Sequence, residues 1–118
     1  MTRARLPARH DARTIGVKYR DMSGLEVKAY VTYSTGERSA DTGRVTEVFI
    51  VASKPGSAAE AAMRDAGLVL SLALQHGVAL EEVARALTRN EDGSPAGPVS
   101  VVVDAILLDL KSTRGEAT

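Results

Sequence analysis

Residues 44–77 read RVTEVFIVASKPGSAAEAAMRDAGLVLSLALQHG, and the change of period inside them decides the fold. RVTEVFIVA (44–52) has strand character and ends in a continuous apolar run. Such a run suits a central strand more than an edge. Lys54-Pro55-Gly56 breaks the strand. Ser57-Ala58-Ala59-Glu60 then has the spacing of a capping box: Ser57 can accept from a free backbone N–H, and Glu60 can reach back to the cap residue. The helix that follows is predicted to run to His76, with Gly77 as a left-handed stop. Its second half, AGLVLSLAL (66–74), is apolar nearly all round, and a helix apolar on every side is buried on every side. Cover is expected from the sheet and from other helices or a partner chain. Gly67 inside this helix costs about 1 kcal/mol relative to alanine. Close approach of another backbone, from its own sheet or a second chain, would explain it.

Upstream, Ile15, Val17 and Tyr19 alternate with Gly16, Lys18 and Arg20, a strand pattern beginning at Thr14. Asp21–Gly24 is a turn. Leu25, Val27, Ala29, Val31 and Tyr33 then alternate with Glu26, Lys28, Tyr30 and Thr32. One face is apolar and the other wet, as in an antiparallel sheet covered on one side. Downstream, Leu80, Val83, Ala84 and Leu87 form the inner stripe of a short helix over 80–89, with Glu81 and Arg85 paired four apart outside. After the loop NEDGSPAGP (90–98), a last helix is predicted over 99–111. Three strands followed by three helices argue for α+β. The expected architecture is a three-stranded antiparallel sheet with the long apolar helix packed on it. Residues 1–12 read as a flexible basic arm, 13–111 as a single domain and 112–118 as a flexible tail.

At 118 residues with 44% hydrophobic and 3% aromatic content, one domain with an aliphatic core is expected. The basic residues Arg3, Arg5, Arg9, Arg13, Lys18 and Arg20 face only Asp11 in the first twenty positions, although the whole chain is formally neutral. The start is thus a basic arm on a mildly acidic body. No signal-peptide pattern is present and the longest apolar stretch is too short for a bilayer, so a cytoplasmic protein without a membrane partner is expected. There is no cysteine, which excludes disulfides, thiolate metal sites and cysteine redox chemistry.

Three stretches carry a family resemblance. Gly43-Arg44-Val45-Thr46-Glu47-Val48-Phe49-Ile50 resembles the G-R-x-x-E-[IV]-F-I strand of the TSCPD domain, and Lys54-Pro55-Gly56-Ser57 is similar to the link that follows it. Leu70-Ser71-Leu72-Ala73-Leu74-Gln75-His76-Gly77-Val78-Ala79-Leu80-Glu81-Glu82 resembles that domain's S-L-x-L-Q-[YH]-G-V-P-L-E-E. Order and spacing agree from about residue 25 to 110. The Thr-Ser-Cys-Pro-Asp segment of some members is absent, and Ala79 replaces a common proline. The resemblance implies a module found near the C-terminus of adenosylcobalamin-dependent ribonucleotide reductases, here of the standalone kind labelled reductase-like. Reduction of ribonucleotides proceeds through a thiyl radical and a cysteine pair, and this chain can supply neither. The implied function is a non-catalytic accessory module associating with a ribonucleotide reductase or a nucleotide. Adenosylcobalamin enters only through such a partner, and a homodimer would cover the apolar helix.

Each candidate contact has an ordinary structural reading beside the functional one. Glu47 could meet a ligand or partner, or point to solvent or pair with Arg44 or Arg64. Lys54, Gly56 and Ser57 precede a helix N-terminus that could hold a phosphate, or form a plain strand-to-helix turn. Gln75 and His76 could contact a ligand, or simply finish the helix, where histidine suits the dipole. His10 and His76 share no metal-ligand spacing. Glu47 with Arg64 in a pocket would be the centre of an enzyme, a reading for which no nucleophile or cofactor motif exists. The basic arm suggests the alternative of a small nucleic-acid-binding protein, against which stand the lack of interleaved aromatics and of any nucleic-acid motif.

Overall fold

The computed structural model describes residues 11–20, 26–35, 44–52 and 58–113. Strands β1 (Asp11–Arg20), β2 (Glu26–Thr35) and β3 (Val45–Ala52) form one antiparallel sheet in the order β1-β2-β3. Helices α1 (Ala58–Gln75), α2 (Leu80–Ala86) and α3 (Pro98–Thr113) follow. The α+β class and the order of elements are those read from the sequence.

Strand alternation creates the core. The register sets Val17 opposite Ala29, Val31 opposite Ile50 and Tyr33 opposite Val48, so the apolar members share one face. That face meets Met63, Leu70 and Leu74 of α1, Leu80 and Ala84 of α2, and Val102, Val103, Ile106 and Leu110 of α3 in one buried cluster. Each such aliphatic side chain contributes about 1.5–3 kcal/mol on full burial. α1 lies chiefly on β3, α3 reaches β1, and α2 packs on α3. No helix among the described residues is long and apolar enough to cross a membrane.

Two expectations are corrected. β3 is an edge strand, not a central one. Its apolar run arises because Val48, Ile50 and Ala52 are buried under α1 while Phe49 and Val51 point to the other, exposed face. α1 is not buried on every side either: Leu68, Val69 and Leu72 are exposed, because only one flank meets the sheet and the rest of the core.

Boundaries shift for identifiable reasons. β1 begins at Asp11 rather than Thr14, in pairing that continues to Thr35. α2 ends at Ala86, not at 89, with Leu87 extended. Arg89 folds back to donate to the Ala84 carbonyl oxygen and pairs with Pro95 in an isolated bridge. α3 starts at Pro98, whose missing N–H costs nothing in the first helical turn. Gly77, with φ 103°, is the left-handed stop predicted for α1. The Gly77 N–H donates to Leu74 O and the Val78 N–H to Ala73 O at 3.1 Å each, a Schellman closure.

Candidate functional site

The densest polar structure lies where α1 crosses β3. The Val48 N–H donates to Ser71 Oγ at 2.8 Å, and Ser71 Oγ donates to Val48 O at 3.0 Å. Four residues on, Gln75 Nε2 donates to Thr46 O at 3.1 Å. A residue's N–H and C=O point to the same side of a strand, so both of these groups face away from β2. α1 therefore supplies partners to the open edge of β3, the edge that would otherwise recruit another strand. Gly67, one turn before Ser71, is what lets the helix come this close. A Cβ there would stand 3.1 Å from Val48 O and 3.4 Å from Ile50 N. The backbone that Gly67 accommodates is thus the chain's own sheet.

The two ends of this seam are also tied. Arg44 donates to the Leu74 carbonyl oxygen, placing a cation at the C-terminal end of α1, where the helix dipole favours it. His76 Nδ1 lies 2.8 Å from Leu72 O, so the histidine closes its own helix. In the first turn, buried Glu60 forms an ion pair with Arg64.

A second polar cluster was not legible in the sequence. Arg13 of β1 donates to Asp109 of α3 through Nε at 2.7 Å and Nη2 at 3.1 Å, and Tyr33 Oη donates to Asp109 Oδ2 at 2.5 Å. The hydrogen bond from Arg13 holds the Asp109 carboxyl below the usual carboxylate range. Burial, then donation to Asp109, pushes the Tyr33 phenol up to about 12. An acid held ionised beside a phenol held protonated forms a clasp that joins β1 and β2 to α3. Residues 13, 33 and 109 have no shared spacing, so no sequence signal pointed to them. Arg89 makes a similar bidentate contact to Asp104 at 2.6 and 2.7 Å.

The structure separates the residues singled out from the sequence. Strand alternation turns Glu47, opposite Ser34, to the face away from α1, whereas Arg64 lies on α1 beside Glu60. Glu47 and Arg64 therefore do not share a pocket. Gln75 and His76 are engaged with backbone carbonyls. Lys54, Gly56 and Ser57, and with Ser57 the expected capping box, lie outside the described residues, as do residues 1–10 of the arm expected over 1–12, whose last two residues, Asp11 and Ala12, begin β1. Among the described residues no group of three or more His, Cys, Asp or Glu could hold a metal ion.

The outer face of the sheet is different in kind. Tyr30, Phe49 and Val51 are more than half exposed there, and Lys18 stands directly opposite Lys28. The alternation of β1 and β2 indicated that Lys18, Lys28 and Tyr30 point outward, but only the register shows that they are neighbours.

No curated protein and no solved structure matches the chain. The family model of the TSCPD domain matches residues 5–113, a span that takes in the three strands and three helices of the described residues. Of the three stretches that resembled that family, Gly43–Ile50 and Leu70–Glu82 supply Arg44, Thr46, Val48, Ser71, Leu74 and Gln75, which bond to one another along the α1–β3 seam, while Lys54–Ser57 lies outside the described residues; the chain belongs to the TSCPD domain family.

Proposed function

We propose that the protein is a non-catalytic accessory module that associates with a ribonucleotide reductase or a related nucleotide enzyme. The observation supporting this reading is that much of its family signature is engaged within the fold. Arg44, Ser71, Gln75 and His76 each bond a backbone group. A chain without cysteine lacks the thiol chemistry of ribonucleotide reduction, so radical, reductant and adenosylcobalamin would all belong to the partner. The exposed ridge of Leu68, Val69 and Leu72 on α1 is an apolar surface of the kind that partners cover. The expected setting is the cytoplasm.

Light scattering coupled to size exclusion tests the reading, on the protein alone, with nucleotides, and with the reductase of the same host. A complex with the reductase, lost on Val69→Glu, supports it. A monomer unchanged by the reductase, or a homodimer built on the ridge and indifferent to it, overturns it and leaves the resemblance as one of fold and descent.

A further inference from the structure

The chain has three tyrosines and one phenylalanine, and two of these four rings stand on the uncovered face of the sheet. Tyr30 and Phe49 are each 56% exposed. Tyr30 is paired with Val51 and Thr32 with Phe49, so the two rings are diagonal neighbours on adjacent strands, their Cβ atoms about 7 Å apart. Exposing two large rings side by side forgoes their burial, which calls for a flat partner.

Basic groups stand next to this pair. Lys18 and Lys28 are directly opposite each other, one step along from Gly16 and Tyr30. Like charges so placed destabilise a strand pair, and neither lysine has an ion-pair partner among the described residues. Gly16 adds no side chain to the face, and nothing lies within 4 Å of where its Cβ would be. An open hollow of about 430 Å³ results, lined by Gly16, Lys18, Lys28 and Tyr30 together with the backbone between them. Of the acidic positions on this face, Glu47 lies beyond Phe49, away from the lysines, and Glu26 occupies the next position of β2 after Lys28, paired in register with Arg20. β1 begins at Asp11, the end of the strand remote from Lys18.

A ligand carrying flat rings and negative charges in alternation is a nucleic-acid strand with unpaired bases. Bases stack on exposed aromatics of a sheet while phosphates meet flanking cations. The basic arm has no interleaved aromatics; on the sheet, strand pairing sets Phe49 diagonal to Tyr30 and Lys18 opposite Lys28. We propose that the outer sheet face binds a short stretch of single-stranded nucleic acid, with bases stacked on Tyr30 and Phe49 and phosphates held by Lys18 and Lys28. The inference goes beyond the accessory reading and does not depend on it.

Fluorescence anisotropy of the full chain with short labelled oligothymidylate and oligouridylate tests it, between about 50 and 200 mM salt. Tyr30→Ala and Phe49→Ala are each expected to weaken binding about tenfold. The double change Lys18→Ala with Lys28→Ala is expected to lower the slope of log affinity against log salt by about 1.4. Circular dichroism and thermal melts confirm that the variants fold. Three results would overturn the proposal: no binding by the wild type, binding unaffected by Tyr30→Ala and Phe49→Ala but lost on removing residues 1–10, or a mononucleotide held as tightly as the oligomer. A wild-type dimer that Phe49→Ala dissociates would overturn it too, since a second copy would then be the occupant of this face.

Discussion

The two faces of β3 differ more than any two elements of the molecule. On one, Thr46, Val48 and Ile50 are buried, and the backbone of Thr46 and Val48 is hydrogen-bonded by Gln75 and Ser71. On the other, Glu47, Phe49 and Val51 alternate with them, and Phe49 and Val51 are more than half exposed. The family signature runs through both faces, yet the residues from helix α1 that complete it act only on the first. Much of what marks the family is therefore a way of fastening a helix to a sheet edge, while Glu47 and Phe49 carry the same signature onto the second face, away from α1.

Substitutions can break or sharpen that contrast. The largest effect is expected from Gly67→Leu. Its Cβ alone would stand 3.1 Å from the Val48 carbonyl oxygen, and overpacking against backbone cannot be relieved by a rotamer change, so a loss of about 3 kcal/mol is expected in urea titration. Ser71→Ala removes both partners of Val48 in a buried seam and should cost about 2 kcal/mol. If either change proves neutral, the seam is not what holds α1.

Asp109→Asn, at the rim of the inner face, should cost about 1.5 kcal/mol by weakening charge-assisted bonds from Arg13 and Tyr33. It also has a pH signature. Asp109 is depressed in the folded state, so its contribution is present above the ordinary carboxylate pKa and fades as pH falls through the folded value. Tyr33 is raised to about 12, so its contribution is intact below about pH 10 and is lost as pH rises towards 12. Thermal melts across pH should lose the acid limb in Asp109→Asn and the alkaline limb in Tyr33→Phe.

Thr46 is buried, and its hydroxyl has no hydrogen-bond partner. Thr46→Val keeps the shape and removes the unpaired oxygen, so a gain of about 1 kcal/mol is expected in the same titration. The smallest effect on stability belongs to Phe49→Ala, within about 0.5 kcal/mol because the ring is largely in solvent. A large loss there would mean that the outer face, too, belongs to the core.

The strands, the helices and the α+β order were readable because apolar period is a local property, visible within each ten-residue window. The left-handed stop at Gly77 and the need for a close backbone at Gly67 were readable for the same reason. The edge position of β3 is not legible in its apolar run, because Phe49 and Val51 are apolar without being buried. The clasp among Arg13, Tyr33 and Asp109 and the grouping of Tyr30, Phe49, Lys18 and Lys28 depend on strand register and helix docking, which no spacing in the chain encodes.

The seam and the clasp also differ in how far apart the chain brings its partners. Ser71 reaches Val48 across 23 residues and Gln75 reaches Thr46 across 29, whereas Arg13 meets Asp109 across 96 and Tyr33 meets it across 76. Closing a longer loop costs more entropy before any contact rewards it. The β3–α1 unit is therefore expected to form early, with the docking of α3 onto β1 and β2 as the closing event. In stopped-flow measurements the Asp109→Asn protein should unfold faster and fold at an unchanged rate.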